Sequence, residues 1–303
     1  MEPIEAPESL CIYSGLHRRD SLSFLNRIEV LAVNEGKRVE IDLTKVVYAS
    51  AAASLLFFAI VSRAQLLTGD PHIFRFKFPK KDENLAGHGW IVSTGLSKAL
   101  VAGTPSKLEA LTSEKRFFQS AVEPFAHMAS TVGMLQSGAH LNHDQLHLLV
   151  TAIGEALLNV SHHAYDDPRF QLTLELFEGK RWWQCAWFNP EKDNVVFIIC
   201  DLGVGIFESF TRSGSGVSIE KQVSSVAKAM LVGESRFVDA GRGNGSEDIK
   251  RPIKLGSEDT ETLLILTGNV HYSYNSNDKE PRCEKLAEYI PGTLLQWSLT
   301  PRR

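Results

Sequence analysis

Three short runs of this sequence hold side chains of the kinds that do chemistry. In Glu155-Ala-Leu-Leu-Asn159-Val-Ser-His-His163, an acid, an amide and a histidine follow one another at four-residue steps. Four residues is about one turn of an α-helix, so the three are expected to project from one stripe. A carboxylate and an amide on a face that looks otherwise buried need partners, because a buried polar group without one costs about 1–3 kcal/mol. In Cys200-Asp201-Leu-Gly203-Val-Gly205-Ile206, an acid stands directly after the apolar run 195–199. At the end of a strand such an acid can accept a hydrogen bond from an exocyclic amine, and the glycines beside it let backbone approach a flat base. The third run is Gly241-Arg242-Gly243-Asn244-Gly245, where successive small residues can turn backbone N–H groups toward phosphate oxygens. Taken singly, each run is as readily a tight turn or a chance helix pattern as a site. In this order and at these separations they are far more specific.

The elements that must position these residues follow from hydrophobic period. Leu146, Leu149, Val150, Ile153, Ala156, Leu157 and Val160 recur at three- and four-residue steps, which predicts a long helix over 142–163. Strands are expected over 171–177, 182–189 and 195–200, a helix over 219–231, and two closing strands over 262–266 and 293–299. A helix followed by strands is the order of an α+β sandwich, with helices on one face of a mixed sheet. The first hundred residues read differently: a strand near 10–13, a helix over 21–34, a β-rich stretch over 38–43, a helix over 51–67, and the strict alternation Ile-Phe-Arg-Phe-Lys-Phe within 72–78. This is a small α/β unit ending near residue 105. Turn residues and charges between Gly103 and Pro124 suggest a junction, which divides the chain into residues 1–105, a linker at 106–124 and a second domain at 125–303.

Over about residues 120–300 the chain resembles the GHKL family of ATP-binding domains, whose nucleotide site is the Bergerat fold. Glu155, Asn159 and His163-Ala164-Tyr165 are similar to the family's N-box, in the version found in anti-sigma-factor serine kinases. Asp201-x-Gly203-x-Gly205-Ile206 resembles the G1 box, the glycines at 241, 243 and 245 resemble the G2 box, and Gly292-Thr293 resembles the terminal Gly-Thr. The resemblance implies that Asp201 reads the adenine amino group beside Thr293, with Gly205 letting the base lie against backbone. It implies that Asn159 ligates a magnesium ion bridging the ATP phosphates and that Glu155 is a general base toward water or a protein hydroxyl. Residues 207–240 would form a lid, ended by the G2 glycines over the phosphates, and Arg242 is equally a phosphate contact or an exposed structural arginine. Two departures stand out: Ser246-Glu-Asp-Ile-Lys-Arg follows the G2 glycines where an apolar residue and a helix are usual, and no His-Glu-Leu-Arg-like helix precedes the domain.

The function implied is a magnesium-dependent ATP-binding regulator whose lid closure and hydrolysis control a protein partner. A serine kinase of the anti-sigma type and a non-catalytic scaffold are the alternatives, and a homodimer is among the assemblies open to it. Residues 10–105 resemble a STAS domain, in which an Asp-Ser pair opens a helix and the serine is phosphorylated. Here Ala51 stands at the serine position, and Ser50 reads as a helix N-cap. The net charge of −4 and a pI near 6.2 give no reason to expect a nucleic acid or an acidic membrane as partner. The seventeen uncharged residues from Val46 to Ser62 are short for a membrane span and rich in alanine, so they read as a strand end and a core helix. Four dispersed cysteines and an acidic start without an apolar run suggest a cytoplasmic protein with reduced thiols.

Overall fold

The structure is a computed structural model that describes residues 1–189, 194–211, 217–231, 245–254, 261–278 and 280–302. Its architecture is α+β, in two compact units: Met1–Val122 with Gln171–Cys185, and Glu123–Phe170 with Ala186–Arg303.

The first unit opens with β1 (Glu2–Glu5), β2 (Ser9–Leu10), α1 (Gly15–Glu29), β3 (Val39–Asp42), β4 (Tyr48–Ala49), α2 (Ala51–Thr68) and β5 (Phe74–Lys77). The order β1-β3-β5 forms a parallel sheet, and β2 pairs with β4. Val39 and Ile41 of β3 are fully buried, whereas Glu40 and Asp42 face Lys77, the alternation of a strand with one wet face. Ser50 caps α2 by accepting the Ala53 N–H at 3.3 Å, and Gly69, with φ of 64°, ends it in the left-handed conformation. Among the described residues α2 is the one helix long and apolar enough to cross a membrane, and 78% of it is buried inside the protein. Its Phe57 and Phe58 meet Phe24, Phe76 and Phe118 edge-on, which makes it the spine of this unit's core.

The segment expected as a linker is structured. After α3 (Leu85–His88) and α4 (Leu96–Leu100) come α5 (Pro105–Ser113) and β6 (Phe118–Ala121). Thr104 caps α5 with Pro105 at its first position, and Leu108 is fully buried. Gly103-Thr104-Pro105 is therefore a helix start. After α6 (Pro124–Gly138) and α7 (His143–Asn159), the chain returns to the first unit with α8 (Gln171–Phe177) and the opening of β7 (Trp182–Asn189). The strand expected over 171–177 is thus a helix. Its Gln-Leu-Thr-Leu-Glu-Leu-Phe alternates only in outline: Leu172 is 65% exposed and Phe177 fully buried, so the alternate leucines do not share a buried face. Glu178 and Gly179, both at positive φ, close that helix by donating to Glu175 O and Leu174 O.

In the second unit, α7 starts at Asn142, whose side chain accepts the Gln145 N–H at 2.9 Å, and it buries Leu149, Ala152, Ile153, Ala156 and Leu157. After Asn159 it widens into a π turn, Val160–Ala164. The α-helical period ends there, so the expected stripe joins Glu155 to Asn159 and does not extend to His163. β8 (Asn194–Asp201) leads into α9 (Gly205–Thr211), α10 (Ile219–Ala229) and α11 (Gly245–Lys254), and the chain closes with β9 (Thr262–Asn275) and β10 (Arg282–Leu299). β10 lies antiparallel between β8 and β9. The last two strands run well beyond the expected 262–266 and 293–299, because the half-exposed hairpin half, pairing Arg282 with Ser273, carries too few apolar residues to read as a strand. α11 corrects a second expectation: Ser246-Glu-Asp-Ile-Lys-Arg is helical, with Glu247 and Asp248 in its first turn, Arg251 and Lys254 in its last, and Ile249 and Ile253 buried.

Candidate functional site

The Asp201 end of the site is assembled from four segments of the second unit. Asp201 is the last residue of β8 and only 6% exposed, and β10 sets Thr293 directly opposite it. Its Oδ1 accepts the Gly203 N–H at 2.8 Å. Burial pushes the carboxyl up to about 7, against the opposing effect of backbone hydrogen bonds from Gly203 and Thr293. The turn that follows is clamped from one side by Ala164 and Tyr165, at the end of the run that begins with Glu155. Val204 donates to Ala164 O at 2.8 Å, Leu202 donates to the Tyr165 hydroxyl at 3.2 Å, and a Cβ on Gly203 would stand 2.0 Å from Ala164 O. Only glycine permits that approach.

From the other side the turn is held by Thr267 of β9, which is 3% exposed. The Thr267 hydroxyl accepts the Ile206 N–H at 3.0 Å, donates to Gly292 O at 2.9 Å and lies 3.4 Å from the Thr293 hydroxyl. The register explains how the Gly292 carbonyl reaches it. Ile290 pairs with Gly268 and Thr293 with Thr267, so Pro291 and Gly292 form an irregularity in β10. Gly292 has φ of 66°, and a Cβ there would stand 2.1 Å from Asp201 O.

The other end of the site is built on helix faces. Glu155 is half-buried and Asn159 exposed, one turn apart on α7. α11 packs along α7, and Gly245, at its start, lies so close that a Cβ would be 2.8 Å from Glu155 Oε2. Burial raises the proton affinity of Glu155, the Asp248 charge raises it further, and His162 acts in the opposite direction. Lys250 of α11 is buried and donates to Met230 O at 2.9 Å, which ties α11 to the end of α10.

Of the residues singled out from sequence, Asp201, Gly203, Gly205, Ile206 and Thr293 converge at one end, and Glu155, Asn159 and Gly245 stand at the other. Gly241, Arg242, Gly243 and Asn244 lie outside the described residues. Of the segment expected as a lid, α10 and most of α9 are described, and Arg169 pairs with Glu208 on α9. Sequence reasoning missed Thr267 and Asp248. The first had a signal, since Gly268 interrupts a strand pattern beside it, and a strand glycine marks a bulge or a close backbone approach. Asp248 had none, because only α11's position along α7 sets its charge near Glu155.

No family model, curated protein or solved structure matches this chain.

Proposed function

We propose that the second unit is an ATP site of the GHKL type, with the Bergerat arrangement, in a regulator that couples nucleotide binding to a protein partner. The observation that carries this reading is the Asp201 end. There a buried carboxyl group, two threonine hydroxyls and a turn whose two glycines leave no room for a Cβ meet in one place, from segments up to about ninety residues apart. An ionised carboxylate only accepts hydrogen bonds, so in that form Asp201 favours a base with an exocyclic amine over one with a carbonyl at the same place. Adenine is the base of that kind implied by the resemblance.

At the other end, Asn159 fits a magnesium ion shared with the ATP phosphates. Its amide is exposed on a helix face, and a hard cation of this kind takes few protein oxygens and keeps the rest from phosphate and water. Such an ion, when bound, supplies charge neutralisation at the phosphates. Glu155 takes the proton from the attacking hydroxyl. Its raised proton affinity suits a base better than a fully solvated carboxylate would, and this favours chemistry over a purely binding scaffold. Whether that hydroxyl belongs to water or to a partner's serine separates an ATPase from a serine kinase. The first unit, with its resemblance to a STAS domain, is read as the docking or regulatory module. The Ser50 hydroxyl is engaged as a helix cap, in keeping with that role and not with that of an acceptor.

The test is incubation of the purified chain with γ-labelled ATP and magnesium, measuring bound nucleotide, released phosphate and protein-attached label, beside Asp201→Asn and Glu155→Ala. Binding is expected to disappear in Asp201→Asn, and turnover in Glu155→Ala with binding kept. Label on protein selects the kinase. A folded wild-type chain that binds no ATP refutes the site.

A further inference from the structure

We infer that Thr267 is the positioning residue of the base pocket, the group that fixes the Gly205-Ile206 backbone against the start of the last strand and so sets the surface on which the base lies. The inference rests on the nucleotide reading above and names a residue that none of its sequence motifs contains.

The geometry leaves the hydroxyl little freedom. A threonine hydroxyl has one proton to donate, and Thr267 gives it to Gly292 O at 2.9 Å while accepting the Ile206 N–H at 3.0 Å. Both partners lie in irregular backbone, the first in the β10 irregularity and the second in the opening turn of α9, where the first N–H groups of a helix have no partner within it. The hydroxyl therefore stands in for a ladder bond between segments that have no ladder. The fit is close: a Cβ on Gly205, at φ of 78°, would be 2.8 Å from the Thr267 Oγ1 and 3.1 Å from Gly292 O. Gly205 is thus pressed against the two groups that Thr267 joins, with Thr293 beside the hydroxyl and Asp201 opposite Thr293 in the sheet.

Without the hydroxyl, the Ile206 N–H and the Gly292 carbonyl lose their shared partner while the strands around them keep theirs. The damage should be local. Valine preserves the β-branched shape and removes only the hydrogen-bonding group, and serine keeps the group while removing a methyl.

The experiment has two readouts. In the nucleotide-free chain, hydrogen exchange of residues 202–206 is expected to quicken about tenfold in Thr267→Val, with β8 unchanged and the thermal midpoint nearly so, and to stay near the wild-type rate in Thr267→Ser. In calorimetry with magnesium and ATP, Thr267→Val is expected to raise Kd about tenfold, the loss of one such contact, and Thr267→Ser to restore it to within about twofold. Exchange and Kd both unchanged in Thr267→Val overturn the inference, as does a general rise in exchange that serine fails to rescue. A wild-type chain that binds no ATP while its exchange responds to Thr267→Val overturns the nucleotide reading and spares the positioning of the turn.

Discussion

The two ends of the candidate site are built on different plans. At the Asp201 end the working positions are mostly buried, hydrogen bonds arrive from segments 25 to 61 residues away, and glycines face backbone atoms at distances that exclude a Cβ. At the Glu155 end the groups stand on two packed helices, Glu155 is half-buried beside α11, Asn159 is exposed, and the close neighbour of Gly245 is the tip of a flexible carboxylate. The difference teaches a division of labour. On the nucleotide reading proposed above, the fixed end would offer a flat ring a surface set before the ligand arrives, and the open end would gain its order only when phosphates and a cation are bound.

Substitutions that break this contrast should do so most severely at the fixed end. Gly292→Ala forces a Cβ to 2.1 Å from Asp201 O and 2.7 Å from Leu202 Cα at a positive φ. It is expected to cost about 3 kcal/mol or more, read as a lowered urea midpoint, and a near-wild-type midpoint would mean that the fixed end yields easily.

The next effect is on pH. Because burial raises Asp201 to about 7, the folded chain holds a proton that the unfolded chain has lost from about pH 4 upward. This group's contribution to stability therefore falls as pH rises between about 4 and 7 and is level above that. Binding of an exocyclic amine has the opposite dependence. The ionised form is the stronger acceptor, so affinity for magnesium–ATP should fall below pH 7, by up to about tenfold per unit, and be flat above it. Affinity independent of pH from 5.5 to 8 would remove Asp201 from the contact.

At the open end, Gly154→Ala in the middle of α7 should be tolerated, since its Cβ meets only Met128 Cε at 3.5 Å. A gain of about 0.5–1 kcal/mol is expected in thermal or urea unfolding, and a loss would show the open end to be as tightly built as the other. The mildest change is Asp248→Asn. Removing that charge lowers the proton affinity of Glu155, so the acid limb of the pH–turnover profile should move to lower pH, and an unmoved limb would assign it to another group.

Much of the open end was legible in the sequence, because its logic is local. The three- and four-residue recurrence from Leu146 to Val160 places Glu155 and Asn159 on one helix face. The fixed end was legible only as a set of glycines and an acid. Nothing within a few residues of Thr267 specifies Ile206 as its partner, 61 positions earlier in the chain. The errors have the same origin. Residues 171–177 alternate in outline yet fold as a helix, and 246–251, read as a departure from the helix usual at that place, lie helically along α7. Short segments carry patterns that two structures satisfy equally, and burial against distant elements selects between them.

By itself, then, the sequence determined most of the periodic elements, the Ser50 cap and the identity of the groups able to do chemistry. These depend on hydrogen bonds and side-chain spacing within a turn or two of the chain. Only the tertiary structure decided that Thr267 joins Ile206 to Gly292, that Ala164 O forbids a side chain at position 203, and that burial raises the proton affinity of Asp201. Each of those depends on which atoms exclude water or one another across long stretches of chain, and no local pattern encodes that.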